Sequence, residues 1–311
     1  MSCFCGLFLF AGIVLGAIWA AVMYEERTGT DVPFLPNATN GYVNDANNAI
    51  MDWGERFKKG LIDQWNQTGV GEVPTATWSN NGHGLQLEVL NALTSDWDPY
   101  FTQAMYNWAY GVSPTSLVLT LTNTTADPSC TSVDGVLKVC NSDYGETGWK
   151  GINECSINGL NQIVASVAKM NEFYLSSAGD GEKLYTMCHE CGHGWGLGHQ
   201  DENFYNLDLG TCMDYVLDPD NNQKPNARDF EILNQTYGYV SGRRERDRGL
   251  HLRWKGKPHT KKTESPQFIS FTDSANRHRW RLLEKNPGME IHGLDLGDGN
   301  RMMTRVMLAE H

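Results

Sequence analysis

Residues 188–201 read CHECGHGWGLGHQD. His189 and His193 stand four positions apart. One helical turn takes 3.6 residues, so on a helix both imidazoles leave from one face. Their ring nitrogens then reach a single metal at about 2.0–2.1 Å. Glu190 lies beside them and points into the same cleft. Gly196 suits a helix end with positive φ, which costs little without a Cβ. The chain then folds back and brings His199 as a third ligand. Three neutral imidazoles suit Zn²⁺ and leave a fourth position for water. Zinc there would lower the pKa of water towards about 7 and polarise a carbonyl. Glu190 would take the water proton and pass it to a leaving amine. Asp201 is expected to hydrogen-bond near His199. Cys188 and Cys191 spell C-x-x-C, but the residues between them already belong to the metal motif. Cys191 lies on the opposite helix face, a structural disulfide is the better reading, and a link from this helix to Cys212 is expected.

An H-E-x-x-H alone is only moderately specific. The extended pattern His189-Glu190-x-x-His193-x-x-Gly196-x-x-His199 fixes five positions in eleven. It resembles the metzincin clan of zinc endopeptidases, whose extended motif is followed by a Met-turn. The Met-turn counterpart is Cys212-Met213-Asp214-Tyr215, which starts 13 residues after His199. The resemblance covers about residues 73–240 and is strongest over 184–215. It implies an α+β, zincin/metzincin-like catalytic domain: a twisted mixed sheet with an active-site helix. It implies zinc held by His189, His193 and His199, with Glu190 as general base and Met213 as an apolar floor beneath the metal. Residues 148–171, GWKGINECSINGLNQIVASVAKMN, look like the strands that precede the active-site helix in this clan. The last of those strands is usually an edge that pairs with extended substrate. Gly196-Leu197-Gly198-His199 looks matrixin-like. Met213-x-Tyr215 instead has the spacing by which astacins and serralysins bring a tyrosine near zinc. Tyr215 is then a second catalytic candidate, binding the metal at rest or stabilising the oxyanion, or else a buried packing residue. Residues 25–187 hold no PRCGxPD-type segment, so latency through a prosegment cysteine is not expected.

Around this motif the 311-residue chain has ordinary globular composition, with 40% hydrophobic and 20% charged residues. Its net charge of −12 argues against nucleic acid as a partner. The charge is unevenly placed: residues 1–242 carry −18 and residues 243–311 carry +6. Residues 3–24, CFCGLFLFAGIVLGAIWAAVMY, form an uncharged run long enough to span a bilayer. They read as a membrane helix kept as a signal anchor, or as a cleaved signal peptide. Six further cysteines, Cys130, Cys140, Cys155, Cys188, Cys191 and Cys212, suggest up to three disulfides. Four glycosylation sequons begin at Asn37, Asn66, Asn123 and Asn234. Together these features predict a membrane-anchored or secreted protein whose substrates are extracellular proteins or peptides.

The expected organisation is a leader (1–24), a linker with an amphipathic helix through Ala46, Ile50, Trp53, Phe57 and Leu61 (25–72), the catalytic domain (73–240), and a basic linker with a small β-rich tail (241–311). Within the domain, strands are predicted in 75–90, 116–122, 136–140 and 162–170, with helices over 96–111 and from about Asp180. A basic stretch runs from Arg243 to Lys262. The tail is predicted as a hairpin or meander turning at Asn286-Pro287-Gly288 and Gly297-Asp298-Gly299. The alternative function is a catalytically silent extracellular module with a structural zinc. Glu190 separates the two, because a silent relative has no use for a base there.

Overall fold

The computed structural model describes residues 76–112, 115–203, 206–240, 252–255, 268–286 and 288–309. The apolar leader, the helix expected near Ala46–Leu61, the sequons at Asn37 and Asn66, and the basic residues 243–248 and 257–262 lie outside them. Among the described residues no helix is long and apolar enough to cross a membrane. These residues belong to one compact unit, Gly69–His311.

The architecture is mixed α/β with a mostly sheet core. The strand predicted over 75–90 is two strands, β1 (Thr77–Trp78) and β2 (Leu85–Ala92). Gly82 and Gly84 both adopt positive φ between them, and Asn80 Oδ1 accepts from the Gly82 amide at 2.7 Å, which turns the chain. Next come α1 (Asp98–Tyr110), β3 (Leu117–Asn123), β4 (Val136–Ser142), β5 (Trp149–Ile157) and β6 (Gln162–Asn171). The helices α2 (Glu172–Leu175), α3 (Asp180–Gly194) and α4 (Ala227–Tyr237) follow. The last strands are β7 (Leu252–Lys255), β8 (Arg281–Asn286), β9 (Met289–Gly297) and β10 (Asn300–Leu308).

The sheet order is β7-β3-β2-β4-β6-β5-β10-β9-β8, with β1 beside the start of β6. From β7 to β6 neighbouring strands run parallel; from β6 to β8 they run antiparallel. Central β4 is buried on both faces from Val136 to Asn141, including Lys138 and Asn141. One face packs α1, α3 and α4 around Trp108, Trp195, Phe230, Leu137 and Met213. The other face carries a second core of Trp149, Ile152, Phe271, Trp280, Leu294, Met302 and Val306, supplied largely by the C-terminal residues.

Two expectations are corrected here. The strand β6 is not an edge, because it lies between β4 and β5, and β5 is itself covered by β10 over Arg301–Leu308. The downstream cysteines form two disulfides, Cys130–Cys140 and Cys188–Cys212. Cys155 and Cys191 are free and buried. The expected link from the helix to Cys212 is made, by Cys188, and Cys191 is no disulfide partner.

Candidate metal centre

The helix α3 is built to stop where the motif needs it. Asp180 and Glu182 sit in its first turn, where carboxylates suit the helix dipole. At the other end the Leu197 amide donates to Gly192 O (3.2 Å) and the Gly196 amide to His193 O (2.9 Å). This pair of bonds closes a Schellman cap. Gly196 has φ +93°, and a Cβ there would lie 2.8 Å from Ala76 O, so only glycine fits. The cap reverses the chain and returns His199 to His189 and His193.

The three histidines form one cluster. The Nε2 of His193 lies 3.0 Å from that of His189 and 2.9 Å from that of His199. Each Nδ1 points away to an acceptor: Cys212 O for His189 (2.6 Å), Leu197 O for His193 (2.9 Å) and Glu202 Oε1 for His199 (3.2 Å). Those acceptors hold the proton on Nδ1 and turn three Nε2 lone pairs towards one another. Lone pairs facing at 3 Å repel unless a cation lies among them. Tetrahedral ligands of zinc at 2.0–2.1 Å are about 3.3 Å apart, so the donor set fits that ion with little movement. Burial lowers the basicity of all three rings; His189 and His193 fall well below the usual range and His199 to about 3. Neutral imidazole is the ligand form.

Glu190 is fully buried, and neither carboxylate oxygen has a hydrogen-bond partner. Desolvation pushes its pKa well above the usual carboxylate value. Its backbone oxygen accepts from Asn153 Nδ2 of β5 at 3.1 Å. Its side chain lies against Gly151 of the same strand, where a Cβ would fall 2.4 Å from Oε1. The Tyr215 ring lies 4.7 Å from the His199 ring and 5.5 Å from that of His189, centroid to centroid, and is buried. Met213 is buried beside Gly192, where a Cβ would come 2.2 Å from its sulfur. The disulfide Cys188–Cys212 ties this loop to α3.

His189, Glu190, His193, His199, Met213 and Tyr215 therefore converge. Asp201 does not meet His199: it accepts from the Asn203 amide and from Asn206, and Glu202 takes the expected place. The sequence reading passed over Glu202, Asn153 and Gly151. Glu202, three residues after His199, carried a usable signal. It also passed over Arg305 of β10, whose positive charge bears on all three histidines and on Glu190. Nothing local marks Arg305, which lies far along the chain in an alternating strand.

The chain matches no family model, no curated protein and no solved structure.

Proposed function

We propose that this chain is a zinc-dependent endopeptidase of metzincin type that cleaves extracellular proteins or peptides. The observation that carries the reading is the convergence of three outward-anchored imidazoles beside a buried, unpartnered carboxylate. His189, His193 and His199 would hold the zinc, which when bound supplies an acidified water and polarisation of the scissile carbonyl. Glu190 accepts the water proton on a carboxylate oxygen and delivers it to the leaving amine. Tyr215, whose ring lies beside those of His189 and His199, would donate its hydroxyl proton to the developing oxyanion. Asn153 and Gly151 hold Glu190 against β5. The two disulfides support an oxidising compartment. With the apolar run at 3–24 and the exposed Asn123 sequon, they favour display outside the cytosol, membrane-anchored or secreted.

Metal analysis with a casein assay tests the reading. The purified chain is expected to hold about one zinc. A chelator should abolish its cleavage of casein. Glu190→Gln should keep the zinc, because no ligand changes, and lose about 10²–10⁴-fold in kcat. Unchanged turnover in that variant, or casein cleavage by a His193→Ala chain that binds zinc normally, would remove the assignment.

A further inference from the structure

The site just described is buried, and the chain's own C-terminal strand lies along the strand beside it. β10 runs antiparallel along β5, in register from Arg301 opposite Ile157 to Leu308 opposite Trp149. Side chains alternate along a strand. Met302 and Val306 enter the distal core, while Met303 and Met307 join the core on the α3 face. Arg305 shares the parity of Met303 and Met307 and stands opposite Asn153, which binds Glu190 O. The guanidinium is thus carried to the motif side of the sheet, where the residue is only 3% exposed. Thr186, one turn before Glu190, contacts the Met307 sulfur at 3.9 Å. A second contact comes from the end of β8, where Asn286 Nδ2 donates to Glu202, the carboxylate that holds His199.

The motif itself is buried. His189, Glu190, His193 and His199 are 0–3% exposed. An extended peptide recognised by strand addition needs a free sheet edge beside the site. β5 is the strand that touches Glu190, and its outer edge is already taken.

We infer that β10 is an intramolecular occupant of the β5 edge, which holds the three-histidine site shut against extended peptides until residues 300–308 are displaced. This rests on the endopeptidase reading. It makes the C-terminal meander an inhibitory segment, and it places the control of activity in strand exchange along β5.

Two full-length variants test it. Thr304→Pro removes a ladder amide from β10 and disfavours its seat between β5 and β9. Met303→Cys places a thiol directly opposite the free Cys155 of β5, so that oxidation can lock the strands. Alkylation of Cys155 in the Thr304→Pro variant reports displacement without reference to activity. The expected results are alkylation at least tenfold faster than in the unchanged chain, zinc retained, and chelator-sensitive casein cleavage at least tenfold faster. The oxidised Met303→Cys chain should bind zinc and cleave no casein, and a reductant should restore the rate of the unchanged chain. If the locked and reduced forms cleave equally fast, the inhibitory role is overturned while the protease reading stands. If Thr304→Pro exposes Cys155, keeps zinc and cleaves no faster than an active unchanged chain, the inhibitory role is likewise overturned. If every form holds zinc and none cleaves, the endopeptidase reading falls, and the inhibition with it. Should Thr304→Pro lose zinc through misfolding, the locked and reduced comparison decides.

Discussion

Glycines around the motif set how closely other groups approach it. Gly192 is an unconstrained x in the motif, yet its missing Cβ is what lets Met213 lie beneath the helix. Gly151 does the same for Glu190 from the neighbouring strand. A methyl group there would meet Oε1 at 2.4 Å and Thr186 Cγ2 at 2.7 Å, so the carboxylate must move. A displacement of about 1 Å at a reacting group can cost about 10²-fold in rate. Gly151→Ala is therefore expected to lower kcat on casein by about that factor with zinc content unchanged. Loss of zinc alongside kcat would mean that the residue supports the ligands instead. Glu202 belongs to the same scale: it holds His199 in the place expected for Asp201, which instead caps the turn that follows it.

Each element around the site is fastened by a polar network that hydrophobic patterning does not reveal. α4 begins with a capping box, in which Asn226 accepts from the Arg228 and Asp229 amides and Asp229 accepts from the Asn226 amide. Asp229 also accepts from Gln200, the residue after His199, and from Thr211, just before the disulfide and Met213. Burial raises its carboxyl to about 6, against the donors' opposing pull. A folded-state pKa above the unfolded value means that the folded protein binds the proton more tightly. This contribution is fully present below about pH 4 and is lost as pH rises through about 6. The stability difference between the wild type and Asp229→Asn should therefore shift against the wild type from pH 4 to 7, by up to about 3 kcal/mol. Denaturant unfolding of both proteins across that range measures it. A difference that moves in the wild type's favour would show that the donors outweigh desolvation.

At the scale of the molecule, the C-terminal residues complete the sheet rather than hang from it. Residues 268–272 cross the face of β5 and β6 opposite α3, over a buried ion pair. Lys169 Nζ lies 2.6 Å from Glu154 Oε2, and both side chains are essentially inaccessible. Ser270 and Thr272 accept from Lys169 at 2.8 Å, and Glu154 accepts from the Phe271 amide. Removing one charge leaves the other buried without compensation, which costs about 3–5 kcal/mol. Glu154→Gln is expected to lower unfolding stability by that amount. The double variant Glu154→Gln/Lys169→Met should recover most of it, since the orphaned ammonium is gone. Additive losses in the double variant would show that the two groups act independently.

Local information was enough for much of the centre. The 3.6-residue turn brings His189 and His193 together wherever a helix forms, Gly196 ends that helix, and His199 returns by the same short loop. Helix and strand periodicities likewise located α1, α3, β3, β4 and β6 within a few residues, because amphipathic patterns reflect nearest-neighbour geometry. Three matters needed the folded chain. Cys188 and Cys191 differ only in which helix face they occupy relative to a distant loop, so their pairing follows packing. Asp201 and Glu202 are alternatives that only the course of the turn after His199 resolves. β10 is an unremarkable alternating segment, and its place beside β5 depends on a contact about 150 positions away in sequence. Strand pairing is made through backbone groups that every residue carries, so no side-chain pattern announces the partner. That non-local pairing takes up the outer edge of the strand that lies against Glu190.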